Sequence, residues 1–385
     1  MRIFYAVYNE GEEDSSLYET LIQMGHEVIR FDWGVPIYET ATLYWQRKEK
    51  VKMNERCVAA VREAHRRKPV TLFFSYCYSS TISVETVRAI RQLGILTVNY
   101  TCNNMHQFEL VKEIAPAYDF CMVPEEGALE FFRKANARPL HIQMAANPRF
   151  CHPVHCSREF DVTFVGQCYA DRSEMVRFLC EKGIDIRVWG LGWRSSEPLA
   201  GLFSKLKFDR KRLKKLGKKL SSREGRATLW EANRLHFSGR KAVSMEALKA
   251  IPLDRRGGPL SLTEMVRMYS RSRISLGFLS LEPGGRKPIR QREFEAPMSG
   301  AFYLTEYLPE LEHYYKIGKE IVCYQDKKDL VEKIRYYLDH PEEAERIRQA
   351  GYERALGEHT WEHRFQKLFH TVELSKRGPL DQRRG

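Results

Sequence analysis

From Met1 to Ile142 short uncharged runs rich in Val, Ile, Phe and Leu alternate with stretches of helical spacing, and this alternation limits the fold more than any other feature. The runs Ile3–Val7, Val28–Phe31, Val70–Phe74, Ile95–Val98, Phe120–Val123 and Leu140–Ile142 read as strands, with helical patterns at Ser16–Met24, Val51–Arg66, Val84–Leu93 and Gly127–Ala135 between them. A strand that is apolar on both faces needs cover on both, which a parallel sheet with helical crossovers supplies. Right-handed crossovers then give a doubly wound α/β domain.

Pro148 and Pro153 interrupt the series, and a second one begins at Glu159-Phe-Asp-Val-Thr-Phe-Val-Gly166. It continues through a helix at Glu174–Lys182, a strand at Ile184–Trp189, a helix at Leu262–Ser270 and strands at Ile274–Leu279, Phe302–Leu304 and Ile321–Cys323. Helical patterns at Lys328–Asp339, Glu342–Leu356 and Trp361–Leu374 close it. A chain of 385 residues exceeds what one core usually holds, so two domains are expected. The boundaries fall at 1–152 and 158–358, with a basic insertion at about 200–258, followed by a terminal helix at 359–376. Ligands of such sheets bind outside the carboxyl ends of the strands, which predicts a site in a central cleft that the two domains face.

No apolar run is long enough to span a bilayer, and Met1–Val7 enters a strand directly without the order of a secretory signal, so a cytoplasmic location is expected. Nine cysteines, none in a C-x-x-C pair, read as reduced core thiols. Cys151-His-Pro-Val-His-Cys156 crowds four metal-ligand types into one short loop, whereas structural zinc usually joins two separated knuckles, so it reads as a linker. The formal charge of +13 is uneven: Lys205–Arg226 holds eleven Lys or Arg against Asp209 and Glu224, with leucines and phenylalanines interleaved. A solvated insertion is the plain reading; peripheral contact with an anionic membrane is the functional one, and no nucleic-acid motif accompanies the run.

Two strand ends carry the first chemical signal. Gly166 ends one strand ahead of Arg172, and Gly190 ends the next within Val188-Trp-Gly-Leu-Gly-Trp193. Glycine lets a backbone approach phosphate, and an arginine at the following helix start can reach it. The second signal is Arg286, Lys287, Arg290 and Arg292 leading into Glu295, Ser299 and Gly300. Four cations in seven positions repel unless an anion neutralises them, and the pyrophosphate of a sugar nucleotide has the matching charge. Arg290 and Arg292 are the candidates for stabilising the departing diphosphate, aided by N–H groups at the helix start; Glu295 is placed to accept from ribose hydroxyls.

These segments resemble the nucleotide-sugar domain of GT-B glycosyltransferases, the branch containing CgeB spore-maturation-like proteins. The resemblance rests on Arg-x-Phe-Glu-Ala-x-x-x-Gly at 292–300, Gly-Lys-Glu-Ile-Val-Cys-Tyr at 318–324 and Ala-Gly-Tyr-Glu-Arg-Ala-Leu-Gly-Glu-His-Thr-Trp at 350–361. It is looser before 150, through Leu93-Gly-Ile-Leu-Thr-Val-Asn99 and Ala145-Ala-Asn-Pro148. It implies two Rossmann-like domains with a C-terminal helix crossing back to the first, and transfer of a hexosyl group from a nucleotide-diphosphate sugar, a UDP-sugar foremost, with retention. Glu295 corresponds to the second glutamate of the family's E-x7-E motif, while Lys287 stands where the first would be. Asn103 and Asn104 occupy positions often acidic in the family and read as acceptor contacts, with His106 behind them as a possible base and Glu10 a candidate by position alone. His359-Thr-Trp-Glu-His-Arg364 is assigned to packing of the terminal helix. No D-x-D motif is present, which predicts catalysis without a metal or other cofactor. A sugar-nucleotide epimerase of the same fold and a non-catalytic basic protein binding membrane or nucleic acid are the competing readings.

Overall fold

The structure is a computed structural model that describes residues 1–7, 12–33, 47–194, 243–279 and 287–376. Packing divides the chain into two units. The first comprises Met1–Met144 and the segment from Trp361; the second comprises the described residues between Ala145 and Thr360. The division falls ahead of the prolines that suggested 150–158, because Ala146 pairs in parallel with Thr360 and donates its N–H to the His359 carbonyl at 3.2 Å.

The first unit holds six parallel strands: β1 (Arg2–Val7), β2 (Glu27–Arg30), β3 (Leu72–Tyr76), β4 (Leu96–Tyr100), β5 (Phe120–Val123) and β6 (Pro139–His141). Their spatial order is β2-β1-β3-β4-β5-β6, so the direction of winding reverses between β1 and β3. Phe4 and Phe73 stack across these two strands at 5.9 Å, and Tyr5 and Phe74 do the same on the other face, also at 5.9 Å. Alternate residues thus bury apolar area on both faces, at about 1.5–3 kcal/mol for each large side chain. The helix Trp361–Lys376 completes one face: Phe365 packs edge-on against Phe74 at 5.6 Å and Trp361 against Tyr100 at 5.7 Å.

The second unit holds β7 (Phe160–Val165), β8 (Ile186–Trp189), β9 (Ser272–Gly277), β10 (Tyr303–Glu306) and β11 (Val322–Tyr324), all parallel, in the order β11-β10-β9-β7-β8. Here the reversal lies between β7 and β9. The helix Leu262–Arg271 that enters β9 starts with a capping box, Ser261 and Glu264 each satisfying the other's backbone N–H.

One stretch differs from the sequence reading. Residues 243–258, assigned above to a basic insertion, belong to the core of this unit. Ser244 caps a short helix, Met245–Ala250, by accepting from the Ala247 N–H at 3.2 Å, and Leu248 and Ile251 are buried. Arg256 then pairs with Val188 on β8, and Gly257 donates to the Val188 carbonyl at 2.6 Å. Lys249, Arg255 and Arg256 conceal the pattern because a six-residue helix shows too few apolar positions to stand out from charged neighbours. The run Lys205–Arg226 lies outside the described residues.

Candidate functional site

The carboxyl ends of β7, β8 and β9 come together around glycine backbone. Gly190, after β8, has φ +144°, and a Cβ there would stand 2.2 Å from the Gly166 carbonyl oxygen after β7. No side chain fits between these two turns. The Gly166 N–H donates to Trp189 O at 2.8 Å, and Trp193 Nε1 donates to Gly166 O at 2.7 Å, so the turn is fixed from both sides.

Arg292 lies directly over this turn. A Cβ on Gly166 would come within 2.6 Å of an Arg292 terminal nitrogen. The Arg292 guanidinium sits 5.1 Å from the centroid of Phe164, and among the described residues its N–H groups make no hydrogen bond or ion pair. Burial opposes its charge, and the pull of Tyr269, Tyr303 and Glu293 outweighs it, leaving the pKa raised.

Arg172 takes a different place from the one expected. It is 2% exposed, and its terminal nitrogens donate to Gln167 O at 3.0 Å and Phe278 O at 2.8 Å. It ties the end of β7 to the end of β9 across the point where the winding reverses, instead of reaching outward. Its guanidinium lies 4.0 Å from the Tyr169 centroid and 5.1 Å from the Phe164 centroid, so Arg172 and Arg292 share one aromatic ring. Burial pulls its pKa down to about 10; Tyr169 resists, and the like charges of Arg292 and Arg290 add to the fall.

The helix start also needs correction. In Arg292–Met298 the N–H groups of Glu293, Phe294 and Glu295 already donate to Arg290 O (3.2 Å), Gln291 O (2.9 Å) and Gln291 O (3.0 Å), because a turn at 290–291 precedes the helix. They are committed internally, so the N–H groups expected to face an anion are already paired within the turn. Glu293, in the first turn of this helix, is wholly buried. It accepts from the Arg290 N–H at 2.6 Å and from the Tyr303 hydroxyl at 2.9 Å. Burial raises its pKa, against the opposing pull of Arg292.

Three other expected contacts fall elsewhere. Lys287 is ion-paired with Glu306 at the end of β10, which neutralises one of the four clustered cations. Ser299 and Gly300 lie at the far end of the helix from Arg292. The Ser299 hydroxyl donates to Glu295 O at 2.7 Å, and Gly300, at φ +74°, ends the helix against Pro153. Glu295 is partly exposed and accepts from Gln291 Nε2 at 2.8 Å. Arg290 is partly exposed beside Arg292 in sequence, and Arg286 is outside the described residues.

In the first unit, Asn103, Asn104 and His106 follow β4 at its carboxyl end. Asn103 takes the left-handed conformation at φ 62°, which asparagine tolerates, and starts the four-residue helix Asn104–Gln107. Asn104 is turned inward: its oxygen accepts from the Thr101 hydroxyl at 2.9 Å and its nitrogen donates to Thr101 O at 2.7 Å. Its expected acceptor contact is therefore replaced by a structural one. Asn103 and His106 remain half-buried at this edge, near Cys102, whose sulfur stands 2.8 Å from the Tyr76 hydroxyl. Glu10 lies outside the described residues. The missed participants, Phe164, Tyr169, Tyr303 and Glu293, carry no motif; their only signal is proximity in sequence to Gly166 and Arg292. Among the described residues no cluster of His, Cys, Asp or Glu is arranged to hold a metal, and no helix is long and apolar enough to cross a membrane.

Two parallel-sheet units of this kind define a GT-B architecture, and solved structures share it over nearly the whole chain. A glycosyltransferase from Rickettsia africae superposes with a TM-score of 0.58 at 10% identity, covering 96% of this chain and 97% of its own. Sucrose-phosphate synthase from Thermosynechococcus elongatus gives 0.56 at 14% identity, with 97% and 100% covered. HepE from Anabaena, solved with UDP, gives 0.54 at 10% identity, with 97% and 100% covered. No curated protein matches the chain. Residues 172–370, just over half of the chain, match the glycosyl transferase-like family, and the chain belongs to that family.

Proposed function

We propose that this glycosyltransferase moves a hexosyl group from a UDP-sugar to an acceptor hydroxyl, without a metal ion and with retention at the anomeric carbon. The carrying observation is Arg292: a guanidinium held over the Gly166 turn by an aromatic ring, with no hydrogen bond or ion pair among the described residues. Such a fork suits a diphosphate, whose charge grows as the bond to the sugar breaks. Arg290 beside it adds to the field, Glu295 takes the ribose hydroxyls, and Asn103 and His106 contact the acceptor. HepE, of the same architecture, is solved with UDP-glucose, which favours uridine among the bases. The resemblance to CgeB-like proteins and any peripheral membrane contact through Lys205–Arg226 belong to this reading.

The test is thermal shift with UDP, GDP, dTDP and ADP, with and without EDTA, on the full chain and on Arg292→Ala. UDP should raise the midpoint whether or not EDTA is present. Arg292→Ala should keep its ligand-free midpoint, lose the shift, and lose roughly 10²–10³-fold in turnover. Unchanged turnover in that variant would sink the assignment.

A further inference from the structure

The first unit carries a second concentration of arginine, at the opposite edge of its sheet from Asn103 and His106. An open cavity of about 560 Å³ lies where β4 and β5 begin, lined by Arg88, Arg91, Asp119, Phe120, Arg138 and Val372 among others. Three cations face one carboxylate there, and that carboxylate is already spent. Asp119 accepts from the Thr97 N–H at 2.9 Å and the Thr97 hydroxyl at 3.0 Å, and its other oxygen pairs with Arg91 at 2.8 Å. Arg91 in turn donates to Ala117 O at 3.1 Å, so it is held in place as the fixed wall of the cavity. Arg138 lies over Phe120 with its guanidinium carbon 4.4 Å from the ring centroid, a cation–π contact that holds it at the cavity. Among the described residues neither Arg88 nor Arg138 has an ion pair.

We infer that this cavity is a binding site for a phosphate-bearing ligand, separate from the nucleotide-sugar site. Two uncommitted guanidinium forks beside a third fixed by Asp119 match the several oxygens of a phosphate. The volume lies within the range of small-molecule pockets. Tyr100, at the other end of β4, packs against Trp361, whereas Val372, eleven residues along the same helix, lines the cavity; the two edges are distinct.

The experiment is calorimetric titration of the full chain with inorganic pyrophosphate, in an Arg292→Ala background that removes the other phosphate site. Arg88→Ala with Arg138→Ala should weaken the remaining binding at least about tenfold. Circular dichroism and the unfolding midpoint should be unchanged, and Arg88→Ala alone, on an exposed helix face, should give part of the loss. In parallel, sedimentation with phosphatidylglycerol vesicles identifies the source of the phosphate: binding to vesicles that the double variant loses, with no pyrophosphate heat, assigns a lipid headgroup. Equal binding of pyrophosphate and of vesicles with and without the two arginines overturns the site. The loss caused by the two arginine substitutions is read in the parent background as well, so it stands apart from the Arg292 assignment, which is tested by turnover.

Discussion

The two sheets reverse their winding at equivalent places, yet each ties its strand ends with opposite chemistry. In the second unit the charged Arg172 joins the ends of β7 and β9 through Gln167 O and Phe278 O. In the first unit the neutral Asn99 joins β3 and β4, one strand along from the reversal between β1 and β3, accepting from the Cys77 N–H at 3.0 Å and from the Ser75 hydroxyl at 2.8 Å while donating to Cys77 O at 3.0 Å. A buried guanidinium is tolerated only where the surroundings supply negative charge or a ligand brings it. The second unit holds Arg172, Arg290 and Arg292 near the single carboxylate of Glu293, a net positive charge; the neutral tie of the first unit adds none. The difference is the one expected if, as proposed, the second unit's edge receives a diphosphate and the first unit's an uncharged hydroxyl acceptor.

The largest effect should come from breaking the backbone approach on which the charged edge rests. Gly190→Ala puts a Cβ 2.2 Å from the Gly166 carbonyl oxygen, at a φ of +144° that alanine rarely adopts. Backbone cannot move aside as a flexible side chain would. A loss on the order of 4 kcal/mol is expected, and chemical denaturation should show it in the second unit's transition. A variant as stable as the parent would mean that the two turns are not locked together.

Next come the two ties themselves. Arg172→Met should cost about 3 kcal/mol, since two strand-end carbonyls lose their donors, and should weaken UDP binding as well because Arg292 loses the framework beneath it. Arg172→Lys should not rescue either property: one ammonium cannot span two carbonyls as the planar fork does. Asn99→Ala should cost about 2 kcal/mol, with UDP affinity measured by titration unchanged. If Asn99→Ala weakened UDP as much as Arg172→Met, the contrast between the edges would collapse.

Most of the scaffold was legible beforehand, for a physical reason. A strand buried on both faces must be apolar at nearly every position, so Phe120–Val123 announces itself. That Gly166, Gly190 and Arg292 lie close together was also anticipated, because the glycine turns end neighbouring strands. What the sequence could not show is where a long side chain points. Arg172 and Arg292 read alike as phosphate arginines, and only packing around Phe164 commits one to carbonyls and leaves the other open. Lys287 looked like part of a cationic cluster until Glu306, nineteen residues later, turned out to be its partner. Glu293 and Glu295 look equivalent in sequence, yet the helix turns one inward to Tyr303 and leaves the other partly exposed.

Asn103 and Asn104 pose the same problem on a smaller scale, and they sharpen the comparison at its neutral edge. Asn104 spends both ends of its amide on Thr101 in a buried setting, so Asn104→Ala should lower stability by about 1–2 kcal/mol, measured by denaturation, and affect activity only through that loss. Asn103 is half-buried at a left-handed turn, so Asn103→Gly preserves the backbone conformation and removes the amide. That variant should keep its stability within about 0.5 kcal/mol and raise the KM for acceptor while leaving UDP binding alone. The reverse outcome, with Asn104 governing acceptor KM and Asn103 governing stability, would show that the loop after β4 rearranges before an acceptor binds.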